Sequence, residues 1–236
     1  MDRDAFRVEA LTAMQEILDT FFNLEILVRV LPFMIEGLGM TLVLCAITVP
    51  LGLAGGLAVA WAWSLKRRML NWALVVYVDF FRAFPPLVLL IFIYFGLPFV
   101  GIDLPAFAAV AIAFLLNASS YYGEIFRAGI ESVPRGQWEA ARSTGLTRFQ
   151  TMRDVVLPQA TRNVLPDLIG NTLEVIKLTT IASVVALGEL LHTARLAQSL
   201  VYNPTPIVAA ALIYLVLLWP AVRFLSRLEH RHVASR

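Results

Sequence analysis

Ser132-Val133-Pro134-Arg135-Gly136-Gln137-Trp138-Glu139-Ala140-Ala141-Arg142-Ser143-Thr144-Gly145-Leu146-Thr147 is a polar stretch between two long apolar ones. Pro134 and Gly136 are turn material. Helix formers fill Gln137 to Ser143, and Gly145 follows where a short helix needs a left-handed cap. Thr147 is placed to cap a new helix from Arg148. Leu157-Pro158 marks another break, because proline removes a backbone donor and clashes with the preceding turn. The spacing predicts a short helix ending at a glycine. Ala140 and Ala141 let another surface approach closely, while Glu139 and the arginines offer directional contacts. The residues alone leave a solvated amphipathic loop as the alternative. The whole connection, Phe126 to Asn163, is about 40 residues long, and such connections without a function are uncommon.

The flanking sequence is apolar enough to cross a membrane. Hydrophobic residues make up 59% of the 236 and charged residues 15%, against about 25% charged in a soluble domain. Too little polar surface remains to cover a water-soluble globule of this length. A spanning helix needs about 20 mostly apolar residues, and five stretches qualify: Leu38 to Trp63, Asn71 to Phe99, Leu104 to Ile125, Val164 to Leu191 and Pro206 to Phe224. Arg82 and Pro85-Pro86 interrupt the second, and Glu174 and Lys177 the fourth. The fold class is therefore all-α integral membrane, with the loop helix set across the membrane plane. Cys45 is the single cysteine, so no intrachain disulfide forms.

Lysine and arginine in short loops set the orientation. Lys66, Arg67 and Arg68 follow the first span, Arg127, Arg135, Arg142, Arg148, Arg153 and Arg162 follow the third, and Arg223, Arg227, Arg231 and Arg236 follow the fifth. The opposite side carries only Arg3, Arg7, Arg29 and Arg195. The N-terminus is expected outside and the C-terminus in the cytoplasm. Met1-Asp2-Arg3-Asp4 lacks the basic start of a cleavable signal peptide, so the first spans are expected to act as uncleaved insertion signals. Residues 1–30 read as a separate amphipathic segment ahead of a membrane-spanning body at 31–236. Phe6, Leu11, Met14, Ile17, Leu18, Phe21 and Phe22 recur at helical spacing with Asp4, Glu9, Glu16 and Asp19 between them. Such a helix lies in the outer interface or packs on the bundle or a partner.

Glu139-Ala140-Ala141, Gly145, Val155 and Leu157-Pro158 resemble, in residue and spacing, the EAA motif of ABC importer permeases, with Val155 where the family prefers isoleucine. The flanks resemble the polar amino acid branch. Tyr121-Tyr122-Gly123-Glu124-Ile125-Phe126-Arg127-Ala128-Gly129-Ile130 is similar to Y-x-x-E-x-x-R-x-G-I, Gly136-Gln137-Trp138-Glu139-Ala140-Ala141 to G-Q-x-E-A-A, and Leu157-Pro158-Gln159-Ala160 to L-P-Q-A. Phe81-Arg82-Ala83-Phe84-Pro85 resembles F-R-G-T-P with two departures, and Lys177-Leu178-Thr179-Thr180 resembles K-D-T-S with Leu178 in place of the acid. The resemblance covers roughly Gly37 to Glu229 and implies a multi-pass protein of the bacterial inner membrane, with no catalytic residue of its own. It implies two permeases, identical or mixed, that take solute from an extracytoplasmic binding protein by alternating access. Each would seat its EAA loop, with Gln137, Glu139, Ala140, Ala141, Gly145, Leu157 and Pro158, in a cytoplasmic ATPase that holds ATP and Mg. The chain itself would bind neither cofactor nor nucleic acid, and it carries no phosphate-binding G-x-x-x-x-G-K-[ST] loop.

Ionisable groups inside a span cost several kcal/mol unless paired or wet. Asp79 and Arg82, three apart, are placed to pair along one helix face, as are Glu124 and Arg127. With Pro85 and Tyr121 these form a structural or gating set. Asn117, Ser119 and Ser120 put small polar groups in the third span, and close helix packing accounts for the serines. A zwitterionic solute needs an anion partner and a cation partner. Lys177, Glu174, Asn117, Thr179 and Thr180 are the solute-path candidates, against the reading that Glu174 and Lys177 pair and seal the bundle. His192 reads as a surface or interface residue, and no metal-ligand spacing occurs. Against a permease for polar amino acids stand a secondary transporter, which usually has more spans and inverted repeats, an intramembrane protease, whose residue pattern is missing, and a permease for another small solute.

Overall fold

Prolines, glycines and uninterrupted apolar runs set the element boundaries in the computed structural model, which describes residues 12 and 14–234, with side chains as far as Arg227. The described residues form helices and connections, with no strand among them. Helix α1 spans Leu24–Ser64, and residues 14–21 form a helical segment just before it. At 1.5 Å per residue α1 is about 60 Å long, roughly twice the hydrocarbon thickness of a bilayer. The first span was expected from Leu38; the helix starts well before it and passes through position 30 without a break. Asn23 explains the start, since its side chain accepts the Ile26 N–H at 3.1 Å. Of the N-terminal pattern, Asp4, Phe6, Glu9 and Leu11 lie outside the described residues. Met14, Ile17, Leu18, Phe21 and Phe22 are exposed.

The second expected span is a bent pair. Helix α2 covers Arg68–Ala83 and α3 covers Pro86–Ile91, continued by a π-helical turn at Phe92–Gly96 and a 3-10 turn at Leu97–Val100. The two halves meet at 100°. Pro85 has no N–H and drives Phe84 into extended backbone, so the helix cannot continue. Helix α4 then runs over Ala106–Ser132. Short helix α5 covers Arg135–Ser143, a single turn α6 covers Arg148–Gln150, and a π-helical stretch at Thr151–Val156 leads into α7, Leu157–Asn163. Helix α8 covers Leu165–Leu178 and tightens to a 3-10 helix over Thr179–Val185. Helices α9 and α10 cover Leu190–Val201 and Thr205–Ala234. Four of these runs are long and apolar enough to span, and the bent pair makes a fifth. The protein is thus an all-α membrane protein with five spans, the second broken.

The expected break at Leu157-Pro158 does not occur. The chain passes through Pro158 as helix, because the wider turn at Thr151–Val156 precedes it and proline sits in the first turn of α7, where its missing N–H is not needed. The stop falls later, at Val164, just before α8 opens with Leu165-Pro166.

The chain folds into two compact units: the chain up to Val43 with Thr179–Pro220, and Leu44–Leu178 with the chain from Ala221. In the first, Val30 and Met34 of α1 pack with Leu190, Ala194 and Ala197 of α9 and Ala209 and Ala210 of α10. In the second, α4 is the central helix. Tyr122, Phe126 and Ile130 of α4 share a core with Met152, Val156, Ala160, Val164, Leu168 and Val175. The C-terminal half of α1 lies against α4 through Gly52, Gly55 and Gly56, which face Ala118, Ser119, Tyr122 and Gly123. A Cβ on Gly56 would stand 2.7 Å from the Gly123 backbone nitrogen. Small residues at such a seam allow the backbone approach that drives helix association in lipid.

Candidate functional site

The loop after α4 is a rigid presentation of one helix. Pro134 stands just ahead of α5, and the chain leaves the helix through Thr144, whose N–H donates to the Ala140 carbonyl at 3.3 Å. Gly145 then sits at φ +87 with its N–H donating to the Arg142 carbonyl at 3.1 Å. No atom lies within 4 Å of where its side chain would begin, so backbone conformation, not space, requires glycine there. Thr147 and Gln150 form a reciprocal capping box. Helix α5 seats on its own unit through buried Ala141 and half-buried Trp138. Its remaining side chains, Gln137, Glu139 and Ala140 among them, are exposed.

The two halves of the motif are joined in space. The Gln159 amide on α7 donates to the Val155 carbonyl at 2.7 Å and to Gln137 on α5 at 3.4 Å. Asn163 donates to the Ser132 hydroxyl at 2.8 Å. Leu157 is half-buried and Pro158 exposed on this support. Arg153 and Asp154 pair beside it at 2.6 Å, and the guanidinium holds the Asp154 carboxyl below its ordinary value. Both lie at the surface, where such pairs contribute little to stability.

The gating set gathers around α4, with one exception. Glu124 accepts from Arg127, whose guanidinium also donates to Glu131 at 2.8 Å. Arg82 reaches Glu124 at 3.9 Å and lies over the Tyr121 ring at 5.4 Å, while the Tyr121 hydroxyl donates to the Arg82 carbonyl at 3.3 Å. Arg82 was expected to pair with Asp79; no Asp79–Arg82 ion pair forms among the described residues. The bend at Pro85 puts the C-terminal end of α2 beside α4, and Arg82 takes the carboxylate found there.

The solute-path candidates separate into two kinds. Asn117 is buried, and its amide donates to the Phe81 carbonyl at 3.2 Å, tying α4 to α2. Thr179 is fully buried in the first unit, near the Tyr214 hydroxyl. Glu174 and Lys177 do pair, at 2.5 Å, but their side chains are 68% and 50% exposed. A pair that sealed the bundle of its own chain would be covered, so that reading fails for the single chain. Thr180 is half-buried. Asp167 and Asn171, which the sequence reading passed over, stand seven and three residues before Glu174 and complete a polar stripe with Lys177 at helical spacing. Spacing of three to four between polar residues in an apolar run was the available signal.

Glu189 was also missed. It is fully buried, caps α9 by accepting from the Leu191 and His192 N–H groups at 2.8 and 2.7 Å, and accepts from the Tyr214 hydroxyl at 3.2 Å. Thr41 of α1 accepts the Leu190 N–H at 3.1 Å. The sequence signalled the Glu189 cap only weakly, because glutamate is not among the residues that usually cap a helix. No group of three or more His, Cys, Asp or Glu that would hold a metal ion occurs among the described residues.

Residues 52–232 match the model of the binding-protein-dependent transport system inner membrane component family. The probable amino-acid ABC transporter permease protein YckA of Bacillus subtilis (strain 168) is 37% identical over 212 residues, 89% of this chain and 94% of the relative. The arginine transport system permease protein ArtQ of the same organism is 34% identical over 207 residues, 87% of this chain and 94% of the relative. Among solved structures, an amino acid ABC transporter crystallised with histidines matches with a TM-score of 0.78 at 37% identity, over 87% of this chain and 96% of that one. The methionine ABC transporter MetNI in inward-facing form matches with a TM-score of 0.71 at 20% identity, over 84% and 97%, a likeness of fold.

Proposed function

Because the chain belongs to the family of binding-protein-dependent transport system inner membrane components, we propose that it is the permease subunit of an ATP-driven importer that carries polar amino acids by alternating access. The observation that carries the reading is α5: an exposed Gln137, Glu139 and Ala140 face, backed by buried Ala141 and closed by Gly145 at φ +87. In this reading α5 seats in a separate ATPase subunit, which holds ATP and Mg. A second permease, identical or mixed, completes the pathway, and an extracytoplasmic binding protein delivers the solute. Closure of the ATPase pair draws the two α5 helices together. The rigid supports from Gln159, Asn163 and the Thr147 cap pass that displacement into α4 and α7. The Arg82–Glu124–Arg127 cluster is placed to break and re-form as the bend at Pro85 moves.

The amino-acid solute is supported by the names of relatives, an arginine permease and a probable amino-acid permease among them. Solute contact is assigned to the exposed pair Glu174 and Lys177, with Asn117, Thr179 and Thr180 as the further candidates for the path. A charged stripe on a spanning helix is expensive in lipid and belongs against a partner or a water-filled cavity. Leu178, where the branch pattern has an acid, favours a second reading in which the solute is another small molecule.

Screening amino acids for stimulated ATPase activity in the reconstituted complex with its cognate binding protein tests the assignment. Stimulation by a polar amino acid is expected; stimulation by other small molecules alone moves the chain to the second reading. The basic-residue bias puts the N-terminus outside and α5 in the cytoplasm. In a Cys45→Ser background, a cysteine replacing Ala140 should resist an impermeant reagent added from outside, and its labelling would reverse the topology.

A further inference from the structure

The second unit contains a cavity of about 700 Å³ beside the coupling helix, to which the transport reading assigns no ligand. It opens between the end of α1, the end of α4 and the loop helices. Trp61, Trp63, Trp138 and Phe149 line it, with Trp61 and Phe149 ring centroids 5.2 Å apart. Lys66, Arg127, Arg135 and Arg148 line it too, against Glu131 and Glu139 alone among acids. Arg127 is committed to Glu124 and Glu131 and lies over the Trp63 ring at 5.2 Å. Lys66, Arg135 and Arg148 make no ion pair among the described residues, and Glu139 is the one lining acid left to face them, so the lining carries excess positive charge. The turn that delivers Lys66 is strained, with that residue at φ +55. Beside the turn, Leu65, Met69 and Trp72 are exposed, Met69 at 87% and Trp72 at 71%.

Basic lining, indole walls and an exposed apolar strip stand together at the end of a spanning helix. Tryptophan belongs at the membrane–water boundary, and basic pockets between spanning helices on the cytoplasmic side hold anionic headgroups. We infer that this cavity binds the phosphate headgroup of an anionic phospholipid, with Lys66 and Arg148 on the phosphate and the acyl chains along Leu65, Met69 and Trp72. Because Trp138 and Glu139 of α5 form one wall, the bound lipid holds the loop helix against the membrane surface. A free phosphate offers the same anion but leaves the apolar strip bare. The inference rests on the reading that this end of α1 faces the cytoplasm.

The test uses the permease pair assembled with its ATPase. Native mass spectrometry of the complex from mixed phosphatidylglycerol and phosphatidylcholine should show preferential retention of phosphatidylglycerol. Lys66→Gln with Arg148→Gln should reduce that retention about tenfold, a loss of about 1.4 kcal/mol of binding, while the variant still co-purifies with the ATPase. Brominated phosphatidylglycerol should quench the tryptophan fluorescence of the unaltered complex more than brominated phosphatidylcholine does, a readout that needs no variant. Equal quenching by the two lipids, or equal retention by the double variant, overturns the inference. Displacement of the lipid by millimolar inorganic phosphate identifies a soluble anion as the occupant and also overturns it. Retention by the permease alone that vanishes when the ATPase binds assigns the cavity to the ATPase seat instead. Solute-stimulated ATPase activity is read in the same samples, so failure of the transport reading is seen separately from failure of lipid binding.

Discussion

Helices α4 and α8 both cross the membrane with polar residues in an apolar run, and they use them in opposite ways. In α4 the polar groups turn inward and are answered within the unit: Asn117 bonds the Phe81 carbonyl, Ser119 meets the Tyr77 hydroxyl at 2.7 Å, and Tyr122 meets Thr172 at 2.7 Å. In α8 the charges of Glu174 and Lys177 pair with each other on the exposed side. Polar residues of the first kind hold a bundle together. Those of the second kind stand open to contact from outside the chain. The same residue types therefore carry different meanings according to which side of the helix faces small neighbours.

The largest expected effect belongs to the α4 side of this contrast. Gly56→Val places a branched side chain where a single Cβ already stands 2.7 Å from backbone nitrogen. Backbone cannot rotate away, so α1 must leave α4 and the seam opens. Loss of most folded protein is expected, measured by size-exclusion chromatography of the detergent-extracted chain. A monodisperse, full-yield variant would show that the seam is not what assembles the unit.

Next comes the loop that α4 supports. Gly145→Val forces a branched residue into left-handed backbone at a cost of roughly 1–2 kcal/mol, confined to the α5 cap. Glu139→Lys reverses charge on the exposed face without touching the core. Both variants should insert and extract normally yet lose transport, with ATPase activity uncoupled from solute or lost with the partner. Normal uptake by both would count decisively against α5 as the coupling element.

Asn117 sharpens the comparison from within α4. Asn117→Ala removes a buried hydrogen bond and leaves the Phe81 carbonyl unanswered, a loss of about 1 kcal/mol. A thermal shift of a few degrees is expected, with the uptake rate changed little. If uptake collapses while the melting temperature holds, Asn117 belongs to the solute path and the division between the two helices is wrong there.

Much of this was legible in the residues because it is local. The glycine cap at Gly145, the Thr147 cap and the extended Phe84 before Pro85 follow from backbone rules that act within a few positions. Helix α1 starts ahead of the expected span because a dip in hydropathy around Arg29 and Glu36 does not end a helix that Asn23 has already capped. Pro158 was misread because a widened turn absorbs a proline, and nothing in the local sequence signals that turn. Arg82 was assigned to Asp79 because spacing is visible in a sequence and a 100° bend is not. Exposure of Glu174 and Lys177 is a tertiary property, and spacing alone gave their pairing without its side.

The smallest effect on the fold is expected at that pair, and it decides what α8 is for. An exposed ion pair contributes little to stability, typically under about 1 kcal/mol. Glu174→Gln and Lys177→Met should therefore each leave extraction and melting nearly unchanged. Transport is the discriminating measurement, read in a double-mutant cycle. Were the pair merely structural, each single variant would lose stability and the double variant would recover part of it, uptake included. With the pair on the solute path, each charge meets a group of opposite sign on a zwitterionic solute, and removing both leaves neither end of the solute held. The double variant should then remain inactive while staying folded and keeping basal ATPase activity, with Lys177→Met the more severe single change because it removes the cation that meets the carboxylate. Uptake by the double variant equal to wild type would remove both residues from the solute site and leave the α8 stripe as a surface for the second permease.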